Sequence, residues 1–332
     1  MDTTSPDPAS PPPRALRFVW PVQLAVIVAL ALWALVFQVR LPSKLPTAAD
    51  YRAVADVLER EARPGDVVFV YPWWADRVRT FIPDSIPVVG YLDDEDDPLL
   101  RHRRIWLLAQ PNLPKSDLDG FLAIFGRGRT RVGTERAFGN LVLSLWDNGR
   151  YRPIRFSAPD ALGTGRVYLE HPDGERVDCP WRGDRFVCPG PWYLHVKTGW
   201  HEVKFQPRRC IWMHPPGGDA RLVLELPGAL EGAKDALLET GYIWDTGFRH
   251  GAGNTTTYVR ADDGAGHPLA DVALPPGLEG MQRAVLALTP DSGSTLRVSV
   301  QSRDTDARWI CVDALAFDAG GSAPPTSGGG AP

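Results

Sequence analysis

Apolar positions follow three different patterns along this chain. Between Arg17 and Arg40, from Phe18 to Val39, twenty-two residues pass without a charge. A helix of about 20 apolar residues spans the hydrocarbon of a bilayer, so residues 16–40 predict a transmembrane helix. From Tyr51 onward the apolar residues become sparse and periodic. Tyr51, Val54, Val57 and Leu58 recur at helical spacing as far as Arg63, behind an N-cap in Thr47-Ala-Ala-Asp50. Pro64-Gly65-Asp66 ends that helix. Val67-Val-Phe-Val70 and Ile105-Trp-Leu-Leu-Ala109 are short continuous apolar runs of the kind found in buried parallel strands. Leu118, Phe121, Leu122 and Phe125 mark one face of a short helix, and Leu141-Val-Leu-Ser-Leu-Trp146 a closing strand.

Beyond residue 150 helical periodicity disappears. Short strands alternate with Gly, Pro and Asp turns at Arg166–Glu170, Arg185–Cys188, Tyr193–Lys197, His201–Phe205, Cys210–His214, Arg221–Leu226, Thr256–Arg260, Ala284–Leu288, Thr295–Gln301 and Trp309–Phe317. That rhythm predicts a β-sandwich or jelly roll. The expected fold class is therefore α/β plus all-β. A transmembrane helix (16–40) is followed by a small α/β domain with a mainly parallel sheet (48–150) and a β-sandwich (151–318), with a smaller β unit at 151–206 as an option. Residues 1–13 and 319–332 are Pro-, Gly- and Ser-rich tails expected to be disordered.

The apolar run is longer than a signal-peptide core and leaves through Val36-Phe-Gln-Val-Arg40 without an Ala-x-Ala site, which favours an uncleaved anchor. Arginines and lysines flank it almost evenly, so charge does not set its orientation. The cysteines are more informative. All four lie late, at Cys179, Cys188, Cys210 and Cys311, an even count that suits an oxidising compartment. Cys179 and Cys188 flank a hairpin with Arg182-Gly-Asp184 at its tip, which brings them within bridging reach. Cys210 would then meet Cys311 by elimination, one of three connectivities, with four buried thiols as the alternative. The expected placement is a short cytoplasmic tail, an inner-membrane span and a periplasmic or extracellular bulk. The arginine-rich composition suggests a bacterial source.

The stretch Asp50-Tyr-Arg-Ala-Val-Ala-Asp-Val-Leu58, with Arg63-Pro-Gly-Asp-Val-Val-Phe-Val-Tyr-Pro72, Arg104-Ile-Trp-Leu-Leu108 and Phe138-Gly-Asn-Leu-Val-Leu143, resembles a known domain. It is the soluble extracytoplasmic domain that follows the last membrane helix of bacterial polyprenyl-phosphate-dependent glycosyltransferases related to protein mannosyltransferases. The resemblance covers residues 35–148. Those enzymes carry their catalytic acids in loops between many membrane helices, and this chain has one such helix, so no catalytic residue carries over. The resemblance implies a detached accessory domain. Cys210-Ile-Trp-Met-His-Pro215 and Glu239-Thr-Gly-Tyr-Ile-Trp244 are similar to carbohydrate-binding sandwich modules.

Candidate chemistry is sparse. Tyr71, Trp73 and Trp74 follow a strand end, where α/β sheets bind ligands; exposed indoles there could stack on a sugar or touch a membrane, and core packing is the plainer alternative. Trp244, Asp245, Arg249 and His250 share a Gly-rich loop with the aromatic and polar mix of a sugar site. The acid run Asp93–Asp97 lacks the spaced ligands of a calcium loop and reads as a solvated segment. No zinc-protease, nucleophile-elbow, phosphate-loop or dinucleotide motif occurs, so no catalytic residue, metal or cofactor is assigned. Arg182-Gly-Asp184 is turn chemistry. A net charge of −4 argues against nucleic acid. The expected function is a non-catalytic binding or accessory module at the envelope, serving glycans or a membrane glycosyltransferase. The alternatives are an envelope glycan-active enzyme (a hydrolase or a split glycosyltransferase subunit) and a structural protein-interaction module.

Overall fold

The structure, a computed structural model, describes residues 16–41, 45–90, 98–113, 116–204, 206–243 and 253–318. Both tails and the acid run at 93–97 lie outside the described residues. Helix α1 spans Leu16–Arg40; from Trp20 to Arg40 it is exposed, with a mean hydropathy of 2.4. It meets the length and composition of a membrane span; an N-terminal signal sequence passes the same test.

Helix α2 (Ala48–Glu61) starts where its sequence directs. Thr47 and Asp50 form a reciprocal cap: the Thr47 N–H donates to Asp50 Oδ2 at 2.7 Å and the Asp50 N–H to Thr47 Oγ1 at 3.2 Å. Gly65 supplies the positive φ of 89° that turns the chain into β1 (Val67–Tyr71). Asp66 locks that turn, accepting from the Arg63 N–H at 3.0 Å and from Trp106 Nε1 at 2.8 Å. Beside β1 lie β2 (Val88–Val89) and β3 (Arg104–Ala109), both parallel to it. Helix α3 (Leu118–Phe125) leads to β4 (Arg129–Phe138) and β5 (Leu141–Asn148), which pair antiparallel with each other, and β5 pairs antiparallel with β3. The sheet order is β2-β1-β3-β5-β4. The sheet is thus mixed, not mainly parallel. The difference comes from β4, whose residues are nearly all exposed and whose register shifts between Val132 and Arg136. An edge strand of that kind has no apolar run to announce it.

From residue 154 the chain builds two facing antiparallel sheets. The strands are β6 (Ile154–Ser157), β7 (Arg166–Glu170), β8 (Arg176–Asp178), β9 (Trp181–Arg182), β10 (Arg185–Val187), β11 (His195–Val203), β12 (Gln206–Met213), β13 (Arg221–Leu226), β14 (Asp235–Tyr242), β15 (Thr257–Asp262), β16 (Pro268–Leu274), β17 (Gln282–Val285), β18 (Leu296–Gln301) and β19 (Ile310–Phe317), with the short helix α4 (Ala158–Ala161) after β6. The larger sheet runs β17-β14-β19-β12-β11-β10-β9, with β6 beside β19; the smaller runs β16-β15-β18-β13-β7-β8. The stretch 151–206, expected to hold a smaller β unit, supplies strands to both sheets. The two strands expected at 193–205 are one, β11. Val196, Ile211, Met213, Ile310, Val312 and Ala314 from the larger sheet meet Leu222, Leu224, Val259, Val298 and Val300 from the smaller in one core.

Two disulfides join Cys179 to Cys188 and Cys210 to Cys311, the pairing expected. The second closes a separation of 101 residues and ties β12 to β19.

The seam between the mixed sheet and the sandwich is held by buried charge. Arg101, just before β3, donates from Nη2 to Asp313 Oδ2 at 2.6 Å and lies 3.6 Å from Glu239. Glu239 and Asp313 are directly opposed on β14 and β19, and Arg283 reaches Glu239 from β17 at 2.9 Å. Burial alone opposes charge on Glu239, yet Arg283, Arg208 and Arg101 together hold its carboxyl below the usual range. Burial pushes Asp313 up, Arg101 opposing and Glu239 adding to it. Arg152 pairs with Asp235, and its guanidinium carbon sits 3.8 Å from the centroid of Phe317. Removing one partner of such a buried pair costs about 3–5 kcal/mol. Arg101→Ala should lose stability of that order in urea denaturation, whereas Arg103→Ala, whose partner Asp147 is exposed, should lose less than about 1 kcal/mol.

Candidate ligand-binding site

Strand pleating decides what the outer face of the larger sheet presents. Successive side chains point to opposite faces. With Val196, Ile211 and Ile310 committed to the core, Lys197, Trp212 and their register neighbours face outward. Trp212 stands at the centre. His195 stacks against it at 5.3 Å between centroids and 23° between planes; Trp309 follows on the other side at 5.4 Å and 30°. His201 meets Trp212 edge-on at 5.5 Å, and Lys197 Nζ lies 5.6 Å from its ring. Gly199 makes room for this packing: a Cβ there would fall 3.0 Å from His201 Nε2. Beside the row, Tyr193 packs on His214 at 4.3 Å and Trp192 is 79% exposed.

The row is electrically neutral apart from Lys197. Burial holds His195 and His201 below the ordinary imidazole range; for His195 the contact of Nδ1 with the Trp192 carbonyl, at 3.1 Å, opposes the shift. His195 Nε2, His201 Nε2 and Trp212 Nε1 are buried with no hydrogen-bond partner among the described residues. Leaving such a group unmatched costs about 1–3 kcal/mol. An ordered internal water is the usual partner of an atom this buried. The partly exposed rings of Trp212 and Trp309 and one ammonium make a face of low charge, with His195 and the three nitrogens beneath it.

Of the residues singled out from sequence, Tyr71 is structural: its ring stacks on Phe121 at 4.0 Å and its hydroxyl donates to the Asp117 carbonyl at 2.8 Å. Trp73 and Trp74 are 40% and 49% exposed at the carboxyl end of β1, edge to face at 5.7 Å. Trp244, Asp245, Arg249 and His250 lie outside the described residues. Both ends of their loop are nonetheless fixed beside the aromatic row. The Ile243 N–H donates to the Trp309 carbonyl at 2.8 Å. On the return, Arg308 donates to the carbonyls of Gly253 and Thr255 at 2.7 and 2.8 Å, and Asp304 accepts from the Thr255 hydroxyl at 2.9 Å. Sequence reasoning missed His195, His201, Trp212 and Trp309. The signal was the alternation in Cys210-Ile-Trp-Met213, which puts an indole on the face opposite the core.

Two clefts compete with this row. One of about 420 Å³ on the smaller sheet includes Tyr258, with Arg260 5.1 Å over its ring. One of about 770 Å³ at the amino ends of β1 and β3 is rich in arginine, yet Arg101, Arg103 and Arg104 already face Asp313, Asp147 and Asp66. The opposed carboxylates Glu239 and Asp313 do not form a hydrolytic pair, since the void beside them holds about 10 Å³. No cluster of three or more metal-ligating side chains occurs among the described residues.

No protein-family profile matches the chain, and no curated protein does. Among solved structures, the CBM51-2 and INT domains of Clostridium perfringens ZmpB are 11% identical, covering 70% of this chain and 33% of that one, with a TM-score of 0.25. The M60 catalytic domain with CBM51-1 and CBM51-2 from the same protein is 12% identical over 57% and 23%, with a TM-score of 0.28. Xylanase10C of Cellvibrio japonicus, in complex with xylopentaose, is 10% identical over 46% and 27%, with a TM-score of 0.26. This chain spans a third or less of each. TM-scores this low establish no common fold, and the site stands on its own geometry. The expected likeness of residues 35–148 to membrane glycosyltransferases finds no support from the family profiles or the curated proteins.

Below the ordinary histidine value of 6.5 the unfolded chain takes up protons that folded His195, His201 and His214 resist. Their contribution to stability is therefore present above pH 6.5 and lost as pH falls below it. His267, raised by its bond to Asp263, works the other way as one against three. The urea midpoint should drop between pH 7.5 and 5.5, and replacing the three buried histidines by Gln should flatten that slope.

Proposed function

We propose that the chain is held at the cell envelope by a retained α1, that its sandwich lies outside the cytoplasm, and that the sandwich binds carbohydrate without altering it. The observation that carries this is the stacked row His195–Trp212–Trp309 on the outer face of the larger sheet. The parts of the Trp212 and Trp309 rings that the stack leaves partly exposed take the apolar side of a sugar, and a few placed polar groups fix its orientation. Lys197 and His201 supply those groups; Trp244, Asp245, Arg249 and His250 are proposed to add to them from the segment between Ile243 and Gly253, whose described ends bond to Trp309 and Arg308. Two disulfides suit an oxidising location and the apolar helix suits attachment there. Binding of this kind fits an accessory role beside a glycan-processing or glycan-exporting membrane enzyme.

The detergent-solubilised full chain should bind defined members of a glycan array. Burying a large aromatic side chain against a ligand is worth about 1.5–3 kcal/mol, so Trp212→Ala or Trp309→Ala should weaken that binding about tenfold or more. Trp181→Ala, on the outlying β9, should leave it unchanged. An array with no hits above the Trp212→Ala background removes the proposal.

A further inference from the structure

The two exposed indoles at the carboxyl end of β1 lie at the end of the α/β layer that the anchor reaches first. Tyr71, Ala109 and Val142 are in register across β1, β3 and β5, so Trp73, Trp74 and Asn140 share one end of the sheet. Leu45 is docked at that same end: its carbonyl accepts from Asn140 Nδ2 at 3.5 Å, and Pro46 beside it is buried. Arg40 closes α1. Five peptide steps from Arg40 to Leu45 reach at most about 18 Å. Strands β1 and β5 are two ladder spacings apart, about 10 Å. A span ending at Arg40 therefore leaves Trp73 and Trp74 no more than about 30 Å from its end, within reach of the bilayer surface.

We infer that Trp73 and Trp74 insert into the interfacial layer of the membrane that holds α1, seating the α/β layer on lipid. This rests on the reading of residues 16–40 as a retained span. Indoles favour that layer because their rings are apolar and their N–H is polar. The pair is 40% and 49% exposed, and Leu45, at the same end, is 37% exposed. Attraction to anionic headgroups is not the cause. Arg77 is exposed here, but so is Asp76. The contact is apolar and tolerates salt.

The full chain, its mass first checked for residues 16–40, is reconstituted into phosphatidylcholine vesicles brominated near the headgroup end of the acyl chains. Trp73→Phe/Trp74→Phe keeps aromatic packing and removes two of the twelve tryptophans. Wild type should show more bromine-quenched emission than the variant, by up to roughly two tryptophans' share, and the difference should persist at high salt. Equal quenching in both overturns the docking while leaving the anchor intact. A difference abolished by salt, or by a soluble oligosaccharide, overturns it in favour of charge or of a sugar site. A purified chain that lacks residues 16–40 overturns the anchor and the docking together.

Discussion

One guanidinium fixes how the two halves of this molecule meet. Glu239 and Asp313 are opposed across β14 and β19 and almost wholly buried. Two like charges at that spacing in a poorly screened interior repel strongly. Arg101 enters from the mixed sheet and lies against both, while Arg283 completes the cluster from the sandwich side. The sandwich thus contributes two opposed acids, and the guanidinium hydrogen-bonded to Asp313 comes from the neighbouring layer. Covering one region of the larger sheet in this way divides its outer face. The part near β14 and β17 is sealed beneath Leu100 and Arg101, and the part built on β11 and β12 carries the aromatic row, with Trp212 and Trp309 partly exposed and His195 buried.

The division gives the fold a direction. The anchor-proximal end of the α/β layer holds Leu45, Trp73 and Trp74, and the opposite ends of β1 and β3 carry the arginine-lined turns that clamp the sandwich. On the proposed reading, the layer is a spacer between lipid and a ligand-binding face, and the charged seam sets the angle at which that face is displayed. A flexible linker between the same parts would leave the angle undefined.

Much of this could be read from the sequence wherever a local rule and the tertiary context agree. The apolar run of α1, the Thr47/Asp50 cap, the turn at Gly65 and the buried strands at 67 and 105 each declare themselves within a few residues. So did the Cys179–Cys188 hairpin. Strand β14 did not, because Glu239 interrupts it and is tolerated only through arginines distant in sequence. Strand β4 is polar and bulged. Strand β11 was divided in two because Thr198-Gly199-Trp200 looks like a turn, whereas Gly199 is there to admit the His201 ring. The aromatic row was invisible for a further reason: His195, Trp212 and Trp309 become neighbours only through the registers β11–β12 and β12–β19. The acidic and Trp244-bearing segments lie outside the described residues, so their chemistry is not tied to a position.

The claim that matters most is that carbohydrate meets the sandwich at Trp212. The indole N–H signals of the twelve tryptophans can be followed by two-dimensional nuclear magnetic resonance on the detergent-solubilised chain, assigned by single Trp→Phe variants, during titration with an array-selected oligosaccharide. The account predicts saturable shifts at Trp212 and Trp309, with Trp106 in the core of the mixed sheet unmoved. Shifts confined to Trp73 and Trp74, with Trp212 and Trp309 silent at saturation, would contradict it.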